Sequence, residues 1–118
     1  MDVIFDNKPA VNNFLVNCAL QYMEEHYQEN LKLADVAGNL YVSQWYLSRL
    51  LNRCTNQNFS DILNGIRVEK AKELLEDSSL RISDIAAMVG FQSLTHFSKV
   101  FRKKEGVPAR EYRNFLFY

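Results

Sequence analysis

The sequence has few of the residues that interrupt regular secondary structure. Its 118 residues include only four glycines and two prolines, whereas 47% of them are hydrophobic. A β-sandwich needs many glycine- and proline-rich turns, so this composition favours helices. The hydrophobic fraction is high enough for a packed core and excludes a disordered chain. The length fits one domain or two closely joined subdomains.

Long apolar segments are also missing. No uninterrupted apolar run approaches the roughly 18 residues that suggest a membrane span. Met1 is followed by Asp2 and a mixed segment, which does not have the pattern of a signal peptide. The sequence therefore predicts a cytoplasmic protein without a membrane partner.

Cysteine and histidine are too sparse and too scattered for a metal site. Cys18 and Cys54 lie far apart and have no C-x-x-C partner, so we expect two free thiols in a reducing compartment. The two histidines, His26 and His96, add no spaced ligand set to them. A structural role in aromatic packing is the more common fate of such histidines. We expect no metal and no cofactor.

The usual marks of an enzyme are missing as well. The sequence contains no Gly-x-Ser-x-Gly elbow and no glycine-rich phosphate loop. Ser48 and Ser98 could each be combined with a histidine, but no third partner of a catalytic triad stands out. The prediction is that the chain is not an enzyme.

Net charge is zero, but its distribution along the chain is uneven. Residues 1–40 hold two basic and six acidic groups, a balance of minus four. Residues 41–118 hold the remaining twelve basic and eight acidic groups, a balance of plus four. Such a basic segment is either a solvated face or a surface for a polyanion, and charge alone leaves both readings open.

The chain is organised around a stretch from Asn58 to Asp77 that has helical apolar spacing on two different faces. The first half of the stretch contributes Phe59, Ile62, Leu63 and Ile66. The second half contributes Val68, Ala71, Leu74 and Leu75, on a face rotated by roughly 120°. A helix with this pattern is expected to dock on two different bodies.

The sequences before and after this helix resemble each other. Asp35, Val36, Ala37 and Leu40 match Asp84, Ile85, Ala86 and Val89. After one inserted residue, Leu47, Ser48, Arg49 and Leu51 match Phe97, Ser98, Lys99 and Phe101. Two copies are too few for a solenoid, so this internal repeat predicts two small helical units joined by the shared helix.

Apolar periodicity and capping residues predict the other helices. The expected spans are 10–29, 33–40, 44–54, 82–89, 93–104 and 109–115. In the first of these helices we expect an inward stripe of Val11, Phe14, Leu15, Cys18, Tyr22 and His26. Ser43 is the expected N-cap of the helix that follows it, and Asn56 marks a bend. Tyr41 and Gly90 stand at the two expected helix-turn-helix turns.

Five sequence motifs carry a family resemblance. They are S-x-x-Y-L-S-R-L at Ser43–Leu50, R-x-x-K-A-x-x-L-L at Arg67–Leu75, I-x-x-I-A-x-x-x-G-F at Ile82–Phe91, F-S-x-x-F-R-K at Phe97–Lys103 and E-Y-R at Glu111–Arg113. In this order and spacing they resemble the C-terminal DNA-binding domain of AraC/XylS-family transcription regulators, over roughly Val11 to Arg113.

The resemblance implies an all-α, seven-helix domain with two helix-turn-helix subdomains joined by a long linker helix. Residues 1–10 would be a tail or linker and residues 11–118 the DNA-binding domain. The first helix-turn-helix unit would span about 33–54, the linker helix about 58–77, and the second unit about 82–104. In the family, the two recognition helices enter successive major grooves of double-stranded DNA.

The resemblance also assigns the DNA contacts. The positions that would read bases are Trp45, Ser48 and Arg49 in the first unit and Leu94, Thr95, Ser98 and Lys99 in the second. The expected phosphate contacts are Ser43, Gln44, Arg53, Ser93, Arg102, Lys103 and Arg110. The residue types fit these roles, because arginine can bind guanine O6 and N7 as a fork and cations bind phosphates. Arg113 is expected on the outward face beside Arg110.

The function expected from these features is that of a sequence-specific DNA-binding domain of a bacterial transcription regulator. RNA polymerase is a candidate partner. The isolated domain is expected to be monomeric, and a longer protein could dimerise through another domain. The alternative is a helical protein–protein interaction module without DNA binding. For single residues, Trp45 could instead belong to the core and the basic residues could form a solvated face.

Overall fold

The computed structural model describes residues 9–117, and these form seven α-helices without a β-strand. The helices are α1 Pro9–His26, α2 Leu33–Asn39, α3 Gln44–Thr55, α4 Phe59–Leu74, α5 Ile82–Met88, α6 Leu94–Glu105 and α7 Ala109–Leu116. The all-α prediction is confirmed. Residues 1–8 of the expected tail lie outside the described residues.

The described chain divides into two compact units, and the division falls inside α4. The first unit contains residues 9–26 and Leu31–Leu63. The second contains Tyr27–Asn30 and residues 64–117. Ile62 and Leu63 are buried in the first unit, and Val68, Ala71 and Leu75 in the second. The helix therefore contributes apolar residues to two different units, as predicted, although Ile66 of the predicted first face falls in the second unit.

In the first unit, helices α1, α2 and α3 pack against one another. Leu47, Leu50 and Leu51 of α3 are buried as predicted. The buried residues of α2 are Val36 and Ala37. Because these five residues recur at helical spacing, each helix turns one side inward and leaves the other exposed.

The inward face predicted for α1 is only partly right, since Leu15, Cys18, Tyr22 and His26 are half-buried and none of the six predicted residues is fully buried. The buried residues of α1 are Asn12, Val16, Ala19 and Met23, whereas Val11 and Phe14 are 46% and 66% exposed. Asn12 explains the error, because an asparagine interrupts the apolar pattern of the true inward face. Its burial is stabilised by the Tyr46 hydroxyl, which donates a hydrogen bond to Asn12 Oδ1 at 2.9 Å.

The second unit has an aromatic core. Phe97 and Phe101 of α6 are fully buried, as predicted, with ring centroids 5.6 Å apart. Tyr112 of α7 meets Phe101 edge to face at 5.6 Å, which confirms its inward orientation. The other buried residues of this core are Val68, Ala71, Leu75, Ile85, Ala86, Val89, Phe91 and Ala109.

Two helices end three residues earlier than the sequence indicates, and in each case an arginine side chain binds the carbonyl groups that follow. Helix α1 ends at His26, three residues before the predicted Glu29. The next carbonyl oxygens, of Tyr27 and Glu29, accept hydrogen bonds from Arg67 Nε and Nη2, both at 2.8 Å. Burial lowers the pKa of Arg67 from its ordinary value, but an arginine remains protonated at neutral pH.

The end of α4 has the same explanation. The helix begins after Asn58, whose Oδ1 accepts the Asp61 N–H at 2.8 Å, and it ends at Leu74 although the stripe suggested Asp77. The carbonyl oxygens of Leu75 and Asp77 accept hydrogen bonds from Arg113 Nε and Nη2 at 3.1 and 3.0 Å. These carbonyl oxygens thus accept hydrogen bonds from a side chain instead of from the backbone N–H groups of a further helical turn.

A lysine joins α4 to the end of α6 within the second unit. Lys72 Nζ lies 3.1 Å from a carboxylate oxygen of Glu69 and 3.2 Å from one of Glu105. The hydrogen bond with Glu69, followed by the one with Glu105, raises the pKa of Lys72. The ammonium group also lies 5.7 Å from the ring centroid of Tyr112.

Candidate nucleic-acid interface

The first candidate recognition helix is α3, which follows α2 after a tight turn. Tyr41 adopts a φ of 58° in this turn and is 96% exposed. The Val42 N–H donates to the carbonyl of Ala37 at 3.1 Å, which closes the turn. Ser43 caps the helix, because its Oγ accepts the Tyr46 N–H at 3.1 Å. In this turn the left-handed backbone conformation is adopted by Tyr41, whose side chain is exposed.

The second candidate recognition helix, α6, is built in the same way. Gly90 has a φ of 104° in the turn after α5. The Phe91 N–H donates to the carbonyl of Ala86 at 3.0 Å. Ser93 caps α6 by accepting the His96 N–H on its Oγ at 3.1 Å.

The two units correspond residue by residue. Helices α2 and α5 have seven residues each, and α3 and α6 have twelve each. The ends of α3 and α6 also match, since Asn56 and Gly106 are both left-handed C-caps. Tyr41 corresponds to Gly90 and Ser43 to Ser93, so the single inserted residue is Gln92. The internal repeat predicted from sequence is confirmed in three dimensions.

The positions expected to read bases lie on the outer sides of α3 and α6. Trp45 is 53% exposed and Leu94 is 46% exposed, so Trp45 is not a core residue. Ser48 is half-buried, and the remaining positions are exposed, namely Arg49, Thr95, Ser98 and Lys99. The guanidinium carbon of Arg49 lies 5.0 Å from the centroid of the Trp45 ring, a cation–π contact that restrains the arginine.

The positions expected to contact phosphates are all exposed. They are Ser43, Gln44, Arg53, Ser93, Arg102, Lys103 and Arg110. Arg102, Lys103 and Lys104 fall in the last turn of α6, where the helix dipole favours positive charge. The two serine oxygens already accept the capping N–H groups, but their hydroxyl groups can still donate to a phosphate.

A family model described as a helix-turn-helix domain matches residues 36–114. The regulatory protein PocR of Salmonella typhimurium is 34% identical over 105 residues, which cover 89% of this chain and 35% of PocR. A solved AraC-type transcriptional regulator from Chromobacterium violaceum has a TM-score of 0.84 at 29% identity, covering 91% of this chain and 96% of that chain. This chain belongs to the AraC-type helix-turn-helix family.

Another structural neighbour has been solved with DNA. The DNA-binding domain of AdpA, in complex with a target DNA, matches with a TM-score of 0.78 and 25% identity. The match covers 84% of this chain and 89% of that chain. By contrast, this chain spans only about a third of the length of the first curated relatives it matches.

One basic residue on this AraC-type surface was assigned wrongly. Arg113 was expected to point outward beside Arg110, but it is half-buried and hydrogen-bonded to two carbonyl groups. Those carbonyl oxygens occupy two of the donors with which the guanidinium could bind a phosphate. Arg113 therefore holds the segment after α4, and we do not expect it to contact a phosphate.

The two histidines of this AraC-type chain differ in their surroundings. His26 stacks on Tyr22 at 4.1 Å, in agreement with a structural role. His96 was expected to pack as an aromatic core residue, but it is exposed, and its ring forms an edge-to-face pair with the Phe91 ring at a centroid distance of 5.3 Å. Position 96 precedes the buried Phe97 by one residue, so its side chain points about 100° away from the inward direction of Phe97 around the helix.

The described part of the chain offers little that could hold a metal or a cofactor. Among residues 9–117 there is no group of three metal-ligating side chains, and Cys18 and Cys54 are free thiols. No helix in the same range is long and apolar enough to cross a membrane. An open depression of about 200 Å³ in the second unit is lined by Asn30, Arg67, Gly90, Phe91, Gln92 and His96.

Sequence reasoning missed the role of Arg67. The residue is only 8% exposed, and its guanidinium lies 5.6 Å from the ring centroid of Phe91. A signal was available, because Arg67 immediately precedes Val68 on the apolar face of α4 that faces the core. A charged residue in such a position is usually paired or hydrogen-bonded.

Proposed function

We propose that this chain is the sequence-specific, double-stranded DNA-binding domain of a bacterial transcription regulator. In this proposal α3 and α6 are recognition helices that read two successive major grooves. A major groove admits an α-helix whose outer side carries groups that can reach base edges.

The observation that carries the proposal is the matched outer surface of the two helices. Trp45, Ser48 and Arg49 occupy the same three positions after the N-cap as Thr95, Ser98 and Lys99. Packing of the core does not require these exposed positions, so their repetition in both helices indicates a role on the surface. The neighbour AdpA, whose DNA-binding domain has been solved with a target DNA, supports the same proposal.

Each base-reading position is proposed to have a chemical role. Arg49 offers a guanidinium fork to guanine O6 and N7, and Lys99 offers a single cationic donor in the second unit. The hydroxyl groups of Ser48, Thr95 and Ser98 can serve base edges or phosphates. Trp45 and Leu94 present apolar surface to thymine methyl groups or sugars.

The cations around these helices are proposed to fix the position of the domain on DNA. They are Arg53, Arg102, Lys103 and Arg110, with the uncharged donors Ser43, Gln44 and Ser93. Phosphate contacts set register and orientation but carry no base identity. They give affinity that falls as salt rises, because binding releases counterions.

The proposal extends to the longer protein only through the family. This chain covers about a third of relatives such as PocR and the raffinose operon regulator RafR. We propose a cytoplasmic regulator that is not an enzyme and that carries a signal-sensing domain outside this chain. The isolated domain would be monomeric, dimerisation would use the other domain, and RNA polymerase is the proposed protein partner.

The experiment that tests the function is the salt dependence of DNA binding. Four to five cationic contacts give an expected slope of log K against log salt of roughly −4. Binding would be measured by fluorescence anisotropy on bulk duplex DNA, followed by selection of preferred sites from random duplexes. Binding with a slope near zero, or selection without a preferred sequence, would contradict the proposal.

A helical protein-interaction module is the second candidate function. Phe14, Phe115 and Phe117 favour it, because they are 66%, 67% and 52% exposed. Such a module would show no salt-dependent DNA binding in the same experiment. The two functions are therefore separated by one measurement.

A further inference from the structure

We propose that Arg67 is a positioning residue for the recognition helix α6, a role that rests on the proposed DNA-binding function. Arg67 lies on α4, and its hydrogen bonds are with the segment after α1 and not with α6. It acts through the turn between α5 and α6, and all the residues involved belong to the second unit.

The first step is the attachment of Arg67 to the segment after α1. Its Nε and Nη2 donate to the carbonyl oxygens of Tyr27 and Glu29, both at 2.8 Å. Charge-assisted hydrogen bonds of this length are strong and directional. Because the guanidinium is planar, two fixed acceptors define its position and its plane.

The second step is the contact between this guanidinium and the helix-turn-helix turn. A Cβ built on Gly90 would lie 2.9 Å from Arg67 Nε and 2.5 Å from the Tyr27 carbonyl oxygen. The turn therefore packs directly against the guanidinium and its acceptor, with no space for a side chain between them. The next residue, Phe91, holds its ring centroid 5.6 Å from the guanidinium carbon.

The third step leads from the turn into α6. The Phe91 ring is 5% exposed and meets His96 and Phe97 edge to face, with both pairs of centroids 5.3 Å apart. His96 and Phe97 stand between Thr95 and Ser98, two of the proposed base-reading residues. A shift of Phe91 would therefore change where the first turn of α6 presents its outer side chains.

Arg113 provides a matched control in the same unit. It also binds two carbonyl oxygens with Nε and Nη2, but these belong to Leu75 and Asp77 after α4. Removing either guanidinium costs two hydrogen bonds of the same kind. Only the loss of Arg67 removes the group against which Gly90 and Phe91 pack.

The test compares Arg67→Met, Arg67→Lys and Arg113→Met in the full chain. Site selection from random duplexes would give the base preference of each variant, and Lys99→Ala would identify the base pairs that depend on α6. We expect Arg67→Met to lose roughly tenfold in discrimination at those base pairs and to keep the preference that depends on Arg49. Arg67→Lys should restore part of the loss, and Arg113→Met should change stability without changing either preference.

A second measurement does not depend on DNA. In the free protein, Arg67→Met should shift the NMR amide resonances of Phe91, Thr95 and Ser98, whereas Arg113→Met should leave them in place. If Arg67→Met fails to fold, Arg67→Lys carries both measurements, with smaller shifts in the same residues.

Two results would overturn the role of Arg67. One is a folded Arg67 variant with the wild-type base profile and wild-type shifts in α6. The other is an Arg113→Met variant that changes the α6 profile as much as Arg67→Met does. A wild-type protein without any base preference would instead reject the proposed function, and the amide shifts would still decide whether Arg67 positions α6.

Discussion

Arg67 and Arg113 bind the backbone in the same way at the ends of two different helices. Each donates from Nε and Nη2 to two carbonyl oxygens that are two residues apart, Tyr27 and Glu29 for Arg67 and Leu75 and Asp77 for Arg113. Both pairs of carbonyl groups follow directly after a helix. The two arginines thus supply the hydrogen-bond donors that the carbonyl groups after these helices require, from 36 to 40 residues away in sequence.

Arg113→Ala should destabilise the fold without weakening a phosphate contact. The change removes two charge-assisted hydrogen bonds from a half-buried site, so we expect the free energy of unfolding to fall by about 1.5–3 kcal/mol. Urea denaturation measures this loss. The slope of log K against log salt for DNA binding should stay at its wild-type value.

Arg110→Ala is the control, because Arg110 lies three residues away on the same helix and is exposed. The free energy of unfolding of the Arg110→Ala variant should stay within about 0.5 kcal/mol of the wild-type value. Its salt slope should become shallower by about 0.9, corresponding to one lost phosphate contact. The opposite pattern, with Arg113 changing the slope and Arg110 the stability, would reverse the assignment of the two arginines.

Three glycine-to-alanine changes should affect stability in different directions. Gly90→Ala combines a φ of 104° with a Cβ only 2.5 Å from the Tyr27 carbonyl oxygen, so the backbone itself must move. Gly106→Ala has a φ of 83° but nothing within 4 Å, which leaves only a strain of about 1–2 kcal/mol. Gly38→Ala fills open space within α2 and should stabilise the protein by about 0.5–1 kcal/mol.

Thermal unfolding of the three variants, each against the wild type, checks this order. Gly90→Ala should lose clearly more stability than Gly106→Ala, and Gly38→Ala should melt above the wild type. If Gly90→Ala and Gly106→Ala lost equal stability, the close packing of Gly90 against the Tyr27 carbonyl group would not contribute to stability.

Local signals in the sequence predicted the recognition helices well. Ser43 is the N-cap that the sequence predicts, whereas Ser93, which was predicted to lie inside the second helix, is its N-cap. Asn56, which was expected at a bend, and Gly106 are left-handed C-caps. The buried sides of α3 and α6 also followed from apolar spacing alone. The exposed side of each helix was therefore predictable, although the base or phosphate partner of each residue remains a prediction.

The errors came from contacts between residues that are distant in sequence. The inward face of α1 depends on Asn12, whose hydrogen-bond partner Tyr46 is 34 residues away. The early ends of α1 and α4 depend on Arg67 and Arg113, which lie 36 to 40 residues from the carbonyl groups they bind. Periodicity carries no information about such partners, so a buried polar residue appears in it only as a break in the pattern.

Asp77 should make stability depend on pH in the acid range. The Ser79 hydroxyl and then its backbone N–H, at 2.6 and 3.0 Å from Asp77 Oδ1, lower the pKa of this carboxyl group. A carboxylate whose pKa is lowered in the folded state stabilises the fold at pH values above its pKa in the unfolded state, which is about 3.9. That stabilisation is lost as the pH falls through the lower folded value.

The measurement is urea denaturation of wild type and Asp77→Asn between about pH 2 and pH 6. The wild type should be the more stable protein at the upper end of the range, and the difference should disappear towards the lower end. Ser79→Ala should show a weaker pH dependence, because the hydroxyl donor is lost and the backbone donor stays. A difference that is constant across the range would contradict the contribution of Asp77.

The two recognition helices should control different base pairs. Arg49→Ala removes the only guanidinium among the proposed base-reading residues. It should reduce the free energy of DNA binding by about 1–3 kcal/mol and weaken the base preference at one or two base pairs. Lys99→Ala should relax other base pairs, because Lys99 lies on the equivalent position of the second unit. Trp45→Ala should weaken the base preference at the same base pairs as Arg49→Ala. The reason is that the Trp45 ring centroid lies 5.0 Å from the Arg49 guanidinium carbon and restrains the arginine.

Arg102→Ala is the control for these three variants, because a phosphate contact weakens every sequence to about the same extent. Selection from random duplexes gives the base profile of each protein, and anisotropy titrations give the affinities. If Arg49→Ala and Lys99→Ala relax the same base pairs, the two helices do not read separate parts of the site. If Arg102→Ala changes the profile while Arg49→Ala leaves it intact, the division between base-reading and phosphate-binding residues must be reversed, because only a group at a base edge can distinguish one base pair from another.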